Sequence, residues 1–265
     1  MNEEPTTLLR ATSRHCAAFF YAWSFGEIAF RNAEEEYIQE QGTVTFVKNG
    51  NEFYAITNEH VLGEDWSQRL RKETLMVALE RHSFWGIRPI FTSPPSKARD
   101  VFYPANFPRD IAIFPFSNNC ERLRNADKEA IQLPNVMPDL EVGEIVLAVG
   151  FPGEKRRAIS KNVAGHKLAH VFGTVRAVTE NNIVIQDTNP AKDKDISFGG
   201  MSGGPIFKII DEKNLSYTLV GIVYEGRGLM NTDEHGQTQF SDDIWIFGFP
   251  LDGERMDAML EYKSP

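Results

Sequence analysis

Between residues 42 and 226 the chain is cut into short runs of β-branched and aromatic residues, many of them closed by turn residues. Few stretches there carry a helical period, so the pattern restricts this region to an all-β sandwich or barrel. GTVTFV (42–47), KNGNE and FYAIT (53–57) read as strand, Asn-Gly turn and strand. Further strands are predicted at TLMVALE (74–80), GIRPIF (86–91), DIAIFPF (110–116), EIVLAVGF (144–151), HVFGTVRAV (170–178), NIVIQDT (182–188), PIFKII (205–210) and YTLVGIVYEG (217–226).

The flanks read differently. Residues 6–37 are mostly helix-permissive, with Leu8, Leu9, Phe19, Phe20, Trp23, Ile28 and Phe30 scattered among polar residues. Residues 1–41 are therefore expected to form a helical N-terminal extension. LDGERMDAMLEY (251–262) predicts a C-terminal helix whose Leu251, Met256, Met259 and Leu260 share one apolar face. The polar stretch 118–143 divides the strands into two groups and is read as a connector between two β units, 42–117 and 144–250, with 251–265 as the closing segment.

Composition narrows the function. Asp plus Glu number 37 against 28 Lys plus Arg, a formal charge of −9, which argues against nucleic acid as a partner. The basic cluster KRR (155–157) is too small to alter that. Cys16 and Cys120 are the two cysteines, with no Cys-x-x-Cys pair, so no zinc ribbon or thioredoxin-type site is available. So few cysteines point to a reducing compartment. The first residues show no basic region followed by an apolar run, and CAAFFYAWSF (16–25) is too short to span a bilayer. A cytoplasmic protein with no membrane partner is expected. His166 and His170 in HKLAH lack the glutamate of a zinc-protease His-Glu-x-x-His run, and no metal is expected there.

Three segments carry reactive side chains at the ends of strand-like runs: ITNEHV (56–61) with His60, RDIAIF (109–114) with Asp110, and GGMSGGP (199–205) with Ser202 among four glycines. A serine hydroxyl is a poor nucleophile at neutral pH. It needs a base to take its proton, and the base needs an acid to hold its tautomer. It also needs backbone N–H donors aimed at the developing oxyanion. Glycines on both sides of Ser202 allow the unusual turn that exposes the hydroxyl and those donors. Each segment alone is a weak signal. Together, in the order His, Asp, Ser and separated by 50 and 92 residues, they form a constellation.

On those residues the chain resembles the chymotrypsin/trypsin-like serine proteases, and more closely their bacterial trypsin-like, HtrA-like branch. ITNEHV is similar to that branch's Thr-Asn-x-His-Val signature, RDIAIF to its Asp-Ile/Leu-Ala strand, and GGMSGGPIF to its Gly-x-Ser-Gly-Gly-Pro loop. YTLVGIVYEG resembles the strand that follows the loop, and GFPG (150–153) an element early in the second barrel. The resemblance covers roughly residues 42–250. It implies two six-stranded-type antiparallel β-barrels with the site in the cleft between them. It further implies a serine endopeptidase without cofactor, acting on a protein or peptide substrate through an acyl-enzyme. Ser202 would be the nucleophile, His60 the base, Asp110 its orienting acid, and the N–H groups of Gly200 and Ser202 the oxyanion hole. Activity would rise with pH as His60 loses its proton.

The chain departs from the family at two places. Zymogen-type members carry an aspartate before the nucleophile, which pairs with a freshly cut N-terminus; here Met201 stands there. Activity is therefore expected without a new N-terminus, with the extension packed on the barrels as a cap or docking surface. The trypsin branch carries an aspartate six residues before the nucleophile; here the position is Ile196, with Asp193 and Asp195 nearby. Tyr224, Glu225 and Gly226 fall on the substrate-binding strand, where Glu225 would favour basic residues and Tyr224 would narrow the cleft; with the trypsin-type acid missing, an apolar or small residue before the scissile bond is expected. The roughly 40 residues after Gly226 are expected to be too few for a PDZ module. Two alternatives stay open on the sequence: a protease activated by a regulatory protein partner, and a silent binding module that keeps the fold.

Overall fold

The protein is described by a computed structural model over residues 7–23, 42–62, 73–79, 83–87, 91–92, 110–115, 120–152, 157–160, 163–165, 168–188, 200–232 and 238–261. The chain opens with α1 (Thr7–Ser13) and β1 (Cys16–Trp23). Then come β2 (Gly42–Asn49), β3 (Glu52–Thr57), a single 3-10 turn (Glu59–Leu62), β4 (Glu73–Leu79), β5 (Ser83–Ile87), β6 (Phe91–Thr92) and β7 (Ala112–Pro115). The connector holds α2 (Cys120–Asn125) and β8 (Ile131–Gln132). The second half contains β9 (Ile145–Gly150), β10 (Arg157–Ser160), β11 (Val163–Gly165), β12 (Ala169–Val178), β13 (Ile183–Asp187), β14 (Pro205–Asp211), β15 (Ser216–Thr232), β16 (Thr238–Pro250) and α3 (Gly253–Glu261).

The strands form two main sheets. One is eight-stranded, in the order β5-β4-β1-β2-β3-β7-β6, with β8 pairing on β2. The other is a closed antiparallel barrel of six strands, β12-β13-β16-β15-β14-β9. A mostly β chain with one closed barrel beside a second sheet agrees with the chymotrypsin-like double barrel expected from sequence. The first sheet runs as an open path among the described residues.

Alternation along the strands explains how the two sheets meet. Successive side chains point to opposite faces. On β9, Val146 and Ala148 face the barrel core with Val175, Ile183, Ile185, Ile206, Val220 and Ile246, while Leu147 and Val149 face outward. On β3 and β7, Ala55, Ala112 and Phe114 join Val44, Phe46 and Leu62 in the first core, while Ile56 and Ile113 face the other way. The outward residues of both units, with Phe207, Leu219, Ile222 and Phe249, make a third cluster that joins them. Burying each such side chain contributes about 1.5–3 kcal/mol. Leu251, just before helix α3, and Met256 and Met259 of α3, all fully buried, seal this junction with the half-buried Leu260; these are the four residues expected to share the apolar face. Asp252 caps the helix, accepting from the Arg255 N–H at 2.8 Å.

Several elements differ from the sequence expectation. Residues 16–23 are a strand, not part of a helical extension: β1 pairs antiparallel with β2 (Cys16 to Thr45) on one side and with β4 (Ala18 to Ala78) on the other. Only α1 is helical in the described part of this segment. β2 pairs with residues 16–19 and β4 with residues 18–23, so the strand has a ladder partner along its whole length, which outweighs the helical preference of its alanines. Another is β16, where the sequence predicts no strand; it lies between β13 and β15 and closes the barrel. The predicted strand 86–91 is divided between β5 and β6. No helix among the described residues is long and apolar enough to cross a membrane.

Candidate active site

His60 stands on the 3-10 turn that ends β3. Asp110 lies two residues before the start of β7, the strand that pairs with β3, with Thr57 opposite Ala112. The pairing of β3 with β7 thus brings two residues 50 positions apart to the same sheet end. The Asp110 carboxylate takes two donors from His60: the backbone N–H at 2.7 Å on Oδ1 and Nδ1 at 2.6 Å on Oδ2. An ionised carboxylate only accepts, so Nδ1 carries the proton and Nε2 is left as an acceptor. Nε2 lies 3.1 Å from Ser202 Oγ. The Asp110 side chain is 19% exposed and that of His60 51%, so the acid is sheltered while the imidazole edge stays open to an incoming group.

Backbone strain sits at this acid. Asp110 has φ +70, in the left-handed region that costs an L-residue about 1–2 kcal/mol. Its carbonyl accepts from Asn58 Nδ2 at 3.0 Å, and Asn58 is fully buried. Asn58 belongs to the ITNEHV segment, but nothing in the sequence marked it as the prop for Asp110.

Ser202 comes from the barrel. Its loop runs into β14 at Pro205 and is anchored by Gly203 N–H to Val223 O and Gly204 N–H to Met201 O, both 2.8 Å. Gly203 has φ +89, and a Cβ there would stand 1.9 Å from Thr43 O. The glycine is therefore required by both conformation and space. The first sheet reaches across: Thr43 N–H donates to Ser202 O at 2.8 Å, and Thr45 Oγ1 donates to Gly203 O at 2.7 Å. Ser202 itself is 7% exposed, and its N–H has no acceptor among the described residues. Gly200, two residues earlier, has φ +94. Met201 is fully buried in the barrel core, so an apolar side chain fills the place where zymogen-type relatives keep a carboxylate.

The structure thus brings Asp110 and Ser202 within hydrogen-bonding reach of the two ring nitrogens of His60. Of the residues expected on the substrate strand, Tyr224, Glu225 and Gly226 lie half-buried on β15. The register of β15 against β16 slips between Val223 and Glu225, so Tyr224 is the bulged residue. Its carbonyl turns to Ser202 Oγ at 3.1 Å. Its ring points away from that contact, with the hydroxyl donating to Asn182 Oδ1 at 2.9 Å and the ring 6.3 Å from that of Phe247. The backbone of Tyr224, rather than its ring, faces the serine. Ile196, Asp193, Asp195 and His166 lie outside the described residues. His170 is on β12, its Nε2 bonded to Leu9 O at 3.1 Å. Cys16 is buried, and burial pushes its thiol up to about 11, the state of an inert thiol. Among the described residues no group of three or more His, Cys, Asp or Glu is placed to hold a metal.

A closed six-stranded barrel beside a second sheet, with serine, histidine and aspartate drawn from both sides of their junction, defines the trypsin class of hydrolase folds. The trypsin-like peptidase domain matches residues 42–222, well over half of the chain, and the chain belongs to that family. No curated protein matches it.

Proposed function

We propose that the protein is a serine endopeptidase that hydrolyses a protein or peptide chain through an acyl-enzyme. The observation that carries this reading is the continuous hydrogen-bonded line from Ser202 Oγ through His60 to Asp110, with distances of 3.1 and 2.6 Å. The unprotonated Nε2 of His60 takes the hydroxyl proton as Ser202 Oγ attacks the scissile carbonyl carbon. The tetrahedral oxyanion is met by the N–H groups of Ser202 and Gly200. His60, now charged and facing the Asp110 carboxylate, passes the proton to the leaving amine, and the C–N bond breaks. Water then repeats the sequence on the ester, with His60 again taking its proton, and Ser202 is regenerated. Each oxyanion donor is expected to supply about 3–4 kcal/mol of barrier lowering. The substrate lies along β15, where Tyr224, Glu225 and Gly226 border the serine.

A fluorophosphonate probe tests the reading. The purified protein should become covalently labelled at Ser202, and Ser202→Ala should abolish labelling. Labelling that needs an added protein would place the activity under a partner's control. No labelling under any condition would leave the chain a binding module and overturn the hydrolase reading.

A further inference from the structure

We infer that Thr43 is a positioning residue that latches the nucleophile loop from the opposite sheet, in the role that an ion pair to the residue before the serine fills in zymogen-type relatives. The inference rests on the hydrolase reading above. Thr43 is fully buried on β2, and all of its polar groups are engaged. Its N–H donates to Ser202 O at 2.8 Å, and its carbonyl accepts from Thr57 Oγ1 at 2.7 Å. Its hydroxyl accepts from the Phe151 N–H at 3.0 Å and donates to Gly200 O at 3.0 Å. The direction of that relay is fixed: an amide only donates, a carbonyl only accepts, and the hydroxyl between them has one proton.

Thr43 therefore holds the two carbonyls that flank Met201, those of Gly200 and Ser202. The backbone half of this grip could come from any residue except proline, whereas the half that holds Gly200 O needs a side-chain hydroxyl. Gly200 is the weak point of the loop. It sits at φ +94 without a Cβ, so the Gly200–Met201 peptide meets little intrinsic resistance to flipping. That peptide lies between the two N–H groups assigned to the oxyanion, and its orientation decides whether they converge. Met201 is buried among apolar side chains and offers no charge by which the loop could be tied. Close packing completes the latch: a Cβ on Gly150, just before Phe151, would stand 3.1 Å from both Thr43 Oγ1 and Met201 Cα.

The test compares the full chain with Thr43→Val, which keeps the shape and removes the hydroxyl, and Thr43→Ser, which keeps the hydroxyl. The readouts are the fluorophosphonate labelling rate, kcat and KM on a peptide substrate, and inhibition by a peptide aldehyde, which forms a tetrahedral adduct. T43V is expected to lower the labelling rate and kcat by about 10²-fold, the effect of losing one oxyanion donor. KM should stay nearly constant, aldehyde inhibition should weaken in parallel with kcat, and T43S should restore all three. A folded T43V that labels as fast as the unaltered protein overturns the inference while leaving the hydrolase reading intact. An unaltered protein that never labels overturns that reading, and the role of Thr43 falls with it. Should T43V not fold, Thr43→Ser and Thr43→Cys decide: the thiol is close in size but a weak donor, so the latch requires Ser fast and Cys slow, and equal rates overturn it.

Discussion

The carbonyl oxygen of Tyr224 lies 3.1 Å from Ser202 Oγ, the same distance that separates that oxygen from His60 Nε2. One hydroxyl proton thus faces two acceptors. A peptide N–H that bonded to the Tyr224 carbonyl would leave His60 as the acceptor for the serine proton. Because the bulge in β15 presents the backbone and not the ring, Tyr224→Phe should leave the labelling rate of Ser202 within about threefold. It should cost about 1 kcal/mol of stability through the lost bond to Asn182. Thermal melts and labelling kinetics on one preparation separate the two effects.

Asp110→Asn should be far more damaging to activity than to folding. The carboxamide can present its N–H₂ to His60 Nδ1, which then must accept, and the proton moves to Nε2 where the base is needed. A fall of about 10⁴ in kcat is expected, with Tm nearly unchanged. Retained activity above about a tenth of the starting value would remove Asp110 from the proposed mechanism.

Gly203→Ala addresses the loop's fold. The added methyl would meet Thr43 O at 1.9 Å and Thr57 Oγ1 at 2.4 Å, at a φ of +89. Neither obstacle is the free end of a flexible chain, so backbone must move. A loss of about 3 kcal/mol or more is expected, read as a large drop in the denaturation midpoint.

Acid should loosen the N-terminal segment. Burial holds the His15 imidazole below its ordinary range, and it does the same for His170. His15 Nδ1 donates to Glu129 O at 3.0 Å, and Nε2 accepts from Tyr217 O–H at 2.8 Å, so the neutral ring satisfies both partners. Glu129, Arg14 and Lys128 are the charged groups around it. With folded values below the unfolded one, the unfolded chain binds more protons as pH falls through about 6.5, and stability drops with it. Each histidine adds a slope of at most about 1.4 kcal/mol per pH unit. Denaturation midpoints between pH 5 and 7 should fall on the acid side and flatten in His15→Gln; an unchanged slope would remove His15 from that role.

Deleting residues 1–23 should unfold the first sheet rather than switch on a silent enzyme. Removal of β1 leaves β2 and β4 with unpaired edges in the middle of the sheet. A soluble, cooperatively melting and more active truncation would contradict the assignment of this segment as framework.

The motifs that named His60, Asp110 and Ser202 could be read in sequence because their chemistry demands particular side chains in a particular order. The strands beside them could be read because the runs around β3, β7 and β14 are rich in apolar and β-branched residues and bounded by turn residues. The missing parts have physical reasons. CAAFFYAW is an unbroken apolar and aromatic run, so its sequence shows no period-two alternation to mark a strand. On β16, Asp242 and Asp243 interrupt the run before Ile244. Asn58 and the carbonyl of Tyr224 act through folded geometry, and a backbone oxygen has no signature in a string of residue types. Thr43 looked like one more β-branched strand residue.

The position of β16 in the barrel bears on how the molecule is made. Ribosomes add roughly 5–20 residues per second, and sheets built from distant pairings fold slowly. β13 and β15 cannot be bridged until residues 238–250 have been synthesised. The wall behind Tyr224 and the loop of Ser202 is therefore completed only after every other strand of the barrel has been made, and a chain halted at β15 leaves β13 and β15 as two open edges.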